Sequence, residues 1–318
     1  MHSETPPRCG QGPRRARDRR RAPRVGLAAL IGAASVALAV GCGSSAHPAG
    51  SAGSTQSSAH AVTQSGPASA TAAGHGGPPG HEPIPILMYH VIASPPPGAP
   101  FPGLYVVPSE FAEQMHALKN AGWHAVRMDQ VAAYWGRGIQ LGPGKPIVLT
   151  FDNGYRSQYT QALPVLRQLG WVGDENIQLS GLPPSQGGLT TEQVRGLIAA
   201  GWELDTQGYS HADLIRLSPG ELHYQVATTR RILQQRYRVP VNWFCYPSGH
   251  YDASVIAEVK AAGYVGSTTV VPGWAAPGED RYRLHRLRVL GGTGPQALLS
   301  LIAGSRGDGP APPAYGGA

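Results

Sequence analysis

The sequence is poor in cysteine and in charge. Its 318 residues include three cysteines, Cys9, Cys42 and Cys245, and only 14% of the residues are charged. The cysteines are too widely spaced for a CxxC metal or redox motif, and removal of the N-terminus would leave no intrachain disulfide. The low charge excludes a long coiled coil, while a hydrophobic content of 41% excludes a wholly disordered chain.

The formal net charge of +7 is concentrated at the N-terminus. Residues 1–42 carry eight arginines against Glu4 and Asp18, a net of +6 that leaves about +1 for the remainder. A protein that binds polyanions needs a basic surface, and the remainder has too little positive charge for one. We therefore predict no nucleic-acid partner.

The first 42 residues are typical of an export signal. An arginine-rich start is followed by 16 uncharged residues at 25–40, fewer than the roughly 20 that a membrane-spanning helix needs. The run LAVGC at 38–42 resembles a bacterial lipobox, with Ala39 where leucine is usual. We predict a signal peptide over 1–42, lipid attachment at Cys42 and an extracytoplasmic, membrane-anchored protein. An ordinary signal peptide and an uncleaved anchor are the alternatives.

Composition divides the rest of the chain into three segments. Residues 42–80 contain no Asp, Glu, Lys or Arg and are rich in Ser, Ala, Gly and Pro. Such a segment buries too little apolar surface to offset its ordering entropy, so we predict a flexible tether over 43–82. We predict one globular domain over 83–304 and a flexible tail over 305–318.

Short apolar runs alternate with helical periods within 83–304. The predicted strands cover 84–89, 146–151, 177–179, 202–206, 242–246 and 264–269, and the predicted helices cover 109–121, 158–169, 190–201, 218–236 and 253–262. This alternation predicts an α/β fold with a parallel sheet and favours a barrel. In a parallel barrel the active site lies where the strands end.

Three of the predicted strands end in polar residues. They read FDNGY at 151–155, LDTQ at 204–207 with His211 four residues later, and FCYPSG at 244–249. Asp152, directly after an apolar run, is hard to explain as a solvated surface charge. The alternative is that it caps the helix that follows.

These segments resemble the motifs of the polysaccharide deacetylase (NodB-homology) family. VLTFDNGY at 148–155 resembles the family's Thr-Phe-Asp-Asp-Gly, TQGYSH at 206–211 stands where the family has Ser-His-Thr-x-x-His, and FCYPSG resembles Tyr-Pro-x-Gly. PILMYH at 85–90 and RLRV at 286–289 match the branch that trims exported cell-surface glycans. The resemblance spans 84–301 and implies a distorted (β/α) barrel.

The resemblance also implies a reaction, the hydrolysis of acetamide groups on a cell-envelope glycan. In the family a divalent cation such as Zn²⁺, held by one Asp and two His, activates water, while a second Asp is the general base. Carried over by position, Asp152 is the base and His211 is the second histidine ligand. Asn153 and Gln207 stand at the other two ligand positions, where the family has Asp and His. The general acid is not assigned.

The two substitutions leave the function open between two hypotheses. Neutral amide oxygens lack the charge or the imidazole that Zn²⁺ prefers, so we expect no zinc site of ordinary affinity. Deamidation at Asn153-Gly154 would restore a carboxylate, and His90 or His250 could replace a ligand. The protein is therefore either a deacetylase with a weakened or absent metal or a metal-free carbohydrate-binding pseudoenzyme of the same fold.

Aromatic and histidine side chains near the strand ends are candidates for glycan contacts. We expect Tyr155, Tyr246, Trp274 and His90 to bind the glycan, because flat aromatic faces suit the C–H faces of sugar rings. Trp274, in a Pro-Gly-Trp sequence after a strand, is the candidate expected to be most exposed. The alternative for aromatics within strands is a place in the core, and for Cys245 we predict a small core residue.

Overall fold

A computed structural model describes residues 77–182 and 187–306. The predicted signal peptide, Cys42, most of the predicted tether and the chain from residue 307 lie outside the described residues. The predicted boundaries at 42, 82 and 304 therefore stay predictions. Within the described part, no helix is both long enough and apolar enough to cross a lipid bilayer.

Eight strands of the described residues form one parallel sheet. They are β1 (Ile86–Tyr89), β2 (Trp123–Val126), β3 (Lys145–Asn153), β4 (Asp174–Ile177), β5 (Glu203–Thr206), β6 (Trp243–Cys245), β7 (Gly266–Thr268) and β8 (Leu287–Arg288). Their order is β7-β6-β5-β4-β3-β1-β8, and β2 pairs with the first half of β3. A bridge from Thr268 to Leu284 brings the segment before β8 beside β7. The sheet is thus curled, and the predicted distorted (β/α) barrel is confirmed.

Helices follow the strands along the described chain. They are α1 (Pro108–Asn120), α2 (Met128–Arg137), α3 (Leu163–Leu169), α4 (Thr191–Ala199), α5 (Pro219–His223), α6 (Thr229–Tyr237), α7 (Ala253–Ala261) and α8 (Pro295–Gly304). A π-helical turn, Tyr224–Thr228, joins α5 to α6. The predicted starts of α4 and α5 are confirmed, since Thr190 and Ser218 form capping boxes there.

Some predicted boundaries are wrong. Helix α1 begins at Pro108 rather than Ser109, because proline's fixed φ suits the first helical position. Strand β4 covers Asp174–Ile177 instead of 177–179, since three polar residues precede its single apolar one and hide it from pattern analysis. The sequence analysis also missed β2, α2, β8 and α8.

One face of the sheet is unusually polar. Residues in register on neighbouring parallel strands share a face. Two polar rows cross β3, β4 and β5 in this way: Thr150, Asp174 and Glu203, and then Asp152, Asn176 and Asp205. On the opposite face Leu149 and Phe151 enter the main apolar core with side chains of α1 and α3. The fold therefore holds ionisable groups on the face turned away from this core.

Candidate active site

Asp152, near the end of β3, is bound by a buried arginine. Arg286 donates from Nη1 to Oδ1 of Asp152 at 2.8 Å and from Nη2 to Oδ2 at 2.9 Å. Asn176 of β4 adds a hydrogen bond from Nδ2 to Oδ1 at 2.9 Å. Two parallel N–H···O bonds fix both the position and the plane of a carboxylate. Asp152 is therefore rigidly held and does not cap a helix.

The remaining donors of Arg286 are also satisfied. Its Nε donates to the carbonyl oxygen of Thr269 at 2.7 Å, and Nη1 also donates to Oγ1 of Thr150 at 3.0 Å. Its Nη2 lies 3.2 Å from Sγ of Cys245, whose thiol donates to Asp152 at 3.5 Å. Cys245 is fully buried, as predicted, and burial raises the pKa of its thiol. It is therefore a neutral donor in this cluster.

Burial and the neighbouring charges set the ionisation states of Asp152 and His90. Burial alone would raise the pKa of Asp152, but the Arg286 guanidinium outweighs it and the pKa is lowered to about 2. Nε2 of His90 lies 3.9 Å from Oδ2 of Asp152. Burial lowers the pKa of His90 to about 4, against the opposing charge of Asp152. Near neutral pH the site therefore holds a carboxylate, a guanidinium and a neutral imidazole.

The two substituted ligand positions hold amides within the described site. Asn153 is buried in a left-handed conformation, with φ of 80°, and its Nδ2 donates to Oε1 of Gln178 at 2.8 Å. Gln207 is also buried, and its Oε1 has no hydrogen-bond partner among the described residues. Both side chains are neutral, and part of Asn153 is already committed to Gln178.

These residues do not fit the Zn²⁺ site that the resemblance implies. Zn²⁺ sites use thiolate, imidazole and carboxylate ligands. Of the three ligand positions only His211 keeps such a group, and its side chain is exposed. No group of three or more His, Cys, Asp or Glu side chains in 77–182 and 187–306 has a geometry that could hold a metal ion. No step of a reaction is therefore derived through a metal.

The other histidines near the strand ends have carboxylate partners of their own. Nδ1 of His250 lies 2.9 Å from Oδ1 of Asp213, and Nδ1 of His285 lies 2.9 Å from Oε1 of Glu279. Neither pair includes Asp152. A carboxylate on one ring nitrogen orients the imidazole, as it does in histidines that ligate metals through the other nitrogen.

Comparison with known proteins gives a family for the central part of the chain. Residues 140–267 match the family model described as polysaccharide deacetylase. This segment matches the polysaccharide deacetylase family. Residues at the centre of the site, from Asp152 to Cys245, fall within the match, whereas His90 and Arg286 lie outside it.

Relatives agree with this family. The Bacillus subtilis (strain 168) protein YxkH, named for the same family, is 26% identical over 220 residues, which are 69% of this chain and 76% of YxkH. The Streptococcus pyogenes deacetylase PplD, solved with acetate, superimposes with a TM-score of 0.64 at 25% identity, over 70% of this chain and 99% of PplD. The Bacillus cereus polysaccharide deacetylase BC0361 gives a TM-score of 0.61 at 25% identity, over 70% of this chain and 69% of BC0361.

A further relative matches over a short stretch only. The Escherichia coli (strain K12) poly-beta-1,6-N-acetyl-D-glucosamine N-deacetylase is 38% identical over 63 residues. Those residues are 20% of this chain and 9% of the longer protein. The match is therefore local.

Two of the residues expected to contact the glycan, Trp274 and Tyr246, are buried, and the expectation that Trp274 is the most exposed candidate is wrong. Trp274 is only 8% exposed, and its Nε1 donates to the carbonyl oxygen of Ile302 at 2.8 Å. Tyr246 is fully buried, and its hydroxyl donates to the carbonyl oxygen of Tyr282 at 2.9 Å. Both rings pack in apolar clusters of the core, where their burial stabilises the fold.

Tyr155 and His90 lie nearer to the described site. Tyr155 follows Asn153 and Gly154 directly and packs with Val91 and Tyr105. Burial raises the pKa of Tyr155 to about 12, so its hydroxyl stays protonated. The role of Tyr155 and His90 as substrate contacts stays a prediction.

The sequence analysis missed the role of Arg286. The run RLRV was used only as a branch marker, although an arginine in an apolar run is itself a signal of a buried partner. Asn176 was missed because the strand that carries it was misplaced. No sequence signal indicated the pairing of the half-buried Tyr209 with the exposed Tyr224, whose ring centroids lie 4.9 Å apart.

Proposed function

We propose that this chain is a glycan-binding member of the polysaccharide deacetylase family that recognises acetamido sugars without the family's metal chemistry. The observation that carries the proposal is the pair of amides, Asn153 and Gln207, at the two substituted ligand positions. Amide groups both donate and accept hydrogen bonds, and they match the amide and hydroxyl groups of an acetamido sugar.

The unpartnered oxygen of Gln207 supports a polar ligand at this position. Buried polar atoms in folded proteins nearly always have a partner, and an orphan points to a water or ligand that completes the set. An acetamide N–H or a sugar hydroxyl would donate to Oε1 of Gln207. The name of the Escherichia coli relative, which specifies poly-N-acetyl-D-glucosamine, makes a cell-envelope glycan of this type our choice of ligand.

Hydrolysis without a metal is the second candidate. It is favoured by the contact of 3.9 Å between His90 and Asp152, which places two basic groups at one site. A general base works best with a pKa near the operating pH. The pKa values of about 2 for Asp152 and about 4 for His90 make both groups weak bases. The ionisation of the site thus favours binding over hydrolysis.

Two measurements on the same preparation test the proposal. Calorimetric titration of the full chain with chito-oligosaccharides and with β-1,6-linked N-acetylglucosamine oligomers should show binding. An acetate-release assay on the same oligomers should show no turnover, with or without added Zn²⁺. Acetate release that Asp152→Asn abolishes would establish the second candidate instead.

A gain-of-ligand variant tests the role of the amides. Asn153→Asp combined with Gln207→His restores the family's ligand types, so zinc content measured by elemental analysis should rise. Wild type that retains one equivalent of zinc after dialysis against a chelator would contradict the proposal.

The location of the protein is a separate proposal, supported by the sequence of residues 1–42. Lipid attachment at Cys42 would hold the domain at the outer face of the membrane by a long tether. Cys42→Ser should then release the protein from membrane fractions or block its processing. Identical fractionation and identical mass of wild type and variant would contradict it.

A further inference from the structure

A half-buried tyrosine beside the substituted site, Tyr209, packs against an exposed tyrosine, Tyr224, of the following π-helical turn. The side chain of Tyr224 is 44% exposed, an unusual value for a large aromatic side chain of the described residues. Its ring lies 4.9 Å from the ring of Tyr209, centroid to centroid, with the planes inclined by 52°. Tyr209 lies between Gln207 and His211, both at family ligand positions. Chain connectivity therefore keeps the backbone of Tyr209 within about 7 Å of Gln207.

The backbone that carries Tyr209 is held in place. Oε1 of Gln225 accepts hydrogen bonds from the backbone N–H groups of Tyr209 at 2.9 Å and of Ser210 at 3.0 Å. The carbonyl oxygen of Tyr209 accepts from the backbone N–H of Ser180 at 2.7 Å. Tyr224 directly precedes Gln225 in the π-helical turn. These hydrogen bonds hold the backbone that carries Tyr209 beside the turn that carries Tyr224, which lowers the ordering cost of a ligand that stacks on the rings.

Polar groups continue from the aromatic pair along the same loop. Asp213 accepts from Nε of Arg216 at 2.7 Å, and its other carboxylate oxygen lies 2.9 Å from Nδ1 of His250. Binding sites for polar small molecules combine apolar, often aromatic, surface with a few placed polar groups. Sugars present both kinds of surface, C–H faces and hydroxyl edges. The loop from Tyr209 to Arg216 offers matching partners for each.

We propose that Tyr209 and Tyr224 form a stacking platform for a second sugar ring of the glycan, beside the acetamido sugar held at Gln207. The inference rests on the proposed function and deepens it, since it makes the ligand an oligomer. The platform takes the place that the sequence analysis gave to Tyr246 and Trp274. Single acetamido sugars occupy only the Gln207 position and do not reach the platform.

Calorimetric titration of the full chain with N-acetylglucosamine and with its β-linked pentamer tests the platform. Tyr224→Ala should weaken pentamer binding about five- to tenfold, the range expected for loss of one aromatic contact, and leave monosaccharide binding unchanged. Tyr224→Phe keeps the ring and should bind the pentamer within about twofold of wild type. Phe101→Ala is the control, because Phe101 is 68% exposed on the loop that follows β1.

Three results would overturn the inference. Unchanged pentamer affinity in Tyr224→Ala would show that the platform is wrong while the proposed function stands. An equal loss in Phe101→Ala would show that the effect is not specific to the pair. Failure of wild type to bind either sugar would remove both the proposed function and the platform. Melting curves of each variant, expected to match wild type, show that a loss of affinity is not a loss of folding.

Discussion

Two groups of buried acids share one face of the sheet, and they differ in their partners. The first is Asp152, whose two oxygens are both bound by Arg286. The second group, which we call the unpaired carboxyls, consists of Asp174, Glu203 and Asp205. Each of these has one oxygen without a hydrogen-bond partner in the described part of the chain. Burial is therefore similar in the two groups, and the difference lies in the presence of a cation.

Each of the unpaired carboxyls accepts one or two hydrogen bonds from backbone N–H groups. The N–H of Met128 donates to Asp174 at 2.9 Å, and the N–H of Asp129 donates to Glu203 at 3.0 Å. The N–H of Trp243 donates to Asp205 at 2.8 Å. These donors reach one oxygen of each carboxyl. The other oxygens lie in an acidic neighbourhood, since Asp174 and Glu203 are in register on adjacent strands.

The two groups titrate in opposite directions. Although burial opposes it, Arg286 lowers the pKa of Asp152 to about 2. Burial, followed by mutual repulsion, raises the pKa of Asp174, Glu203 and Asp205 well above the usual range, while Arg127 opposes the shift at the first two. Like charges this close on one face destabilise a sheet, so the unpaired carboxyls retain protons. The presence of a cationic partner, rather than the degree of burial, decides whether a buried acid is charged.

The largest expected effect comes from removing the cation of the first group. Arg286→Met keeps an unbranched side chain, removes the guanidinium and leaves Asp152 as a buried, uncompensated charge. Breaking a buried pair in this way costs about 3–5 kcal/mol of unfolding free energy. Urea denaturation at neutral pH measures the change.

Arg288→Met is the matched control for this substitution. Arg288 is exposed two residues further along the chain, and its loss should cost less than about 1 kcal/mol. Adding Asp152→Asn to Arg286→Met should recover part of the loss, because the buried charge is then gone. Equal stability of Arg286→Met and wild type would contradict the account of the first group.

The second expected effect is that the same change, Asp to Asn, shifts the unfolding free energy in opposite directions at two positions. Asp152→Asn should destabilise the fold by about 1–3 kcal/mol, because Arg286 loses its counter-charge. Asp174→Asn should stabilise it by about 1 kcal/mol at neutral pH, because a neutral amide avoids the cost of keeping a proton on a buried carboxyl above its unfolded pKa. The same denaturation series, run on both variants, measures the two signs.

The pH dependence of stability gives an independent check on the two groups. A carboxyl with a raised folded pKa stabilises fully below its unfolded pKa, near 3.8 for Asp174, and that stability is lost as the pH rises towards the folded pKa. Asp152 behaves oppositely: its contribution is present above 3.8 and is lost as the pH falls through about 2. Asp174→Asn should therefore flatten the decline of stability above pH 4, by at most about 1.4 kcal/mol per pH unit. A decline as steep as in wild type would contradict this.

The contrast also explains what the sequence could predict. Strand-helix alternation and the motifs around Asp152 were enough for the barrel, because periodicity and strand-end polarity are local signals. Strand β4 was misplaced because Asp174, Glu175 and Asn176 carry no apolar pattern. A buried strand of this kind depends on tertiary contacts, which override local preference.

The site was predicted only in part for a related reason. Asp152 and the altered ligand positions can be read from single motifs. The pairing of Asp152 with Arg286 joins residues 134 positions apart, and no local pattern indicates it. The burial of Trp274 follows likewise from contacts with distant residues such as Ile302.

The smallest expected effect is on the pKa of His90, which responds to the charge of Asp152. Burial lowers the pKa of His90 to about 4, and the charge of Asp152 partly opposes that shift. Asp152→Asn removes this charge while Arg286 stays, so the pKa of His90 should fall further. NMR titration of the His90 Cε1–H resonance measures it in wild type and variant. Asp174→Asn is the matched control and should leave the resonance unchanged. An unchanged pKa of His90 in Asp152→Asn would show that Asp152 is not charged in the native protein.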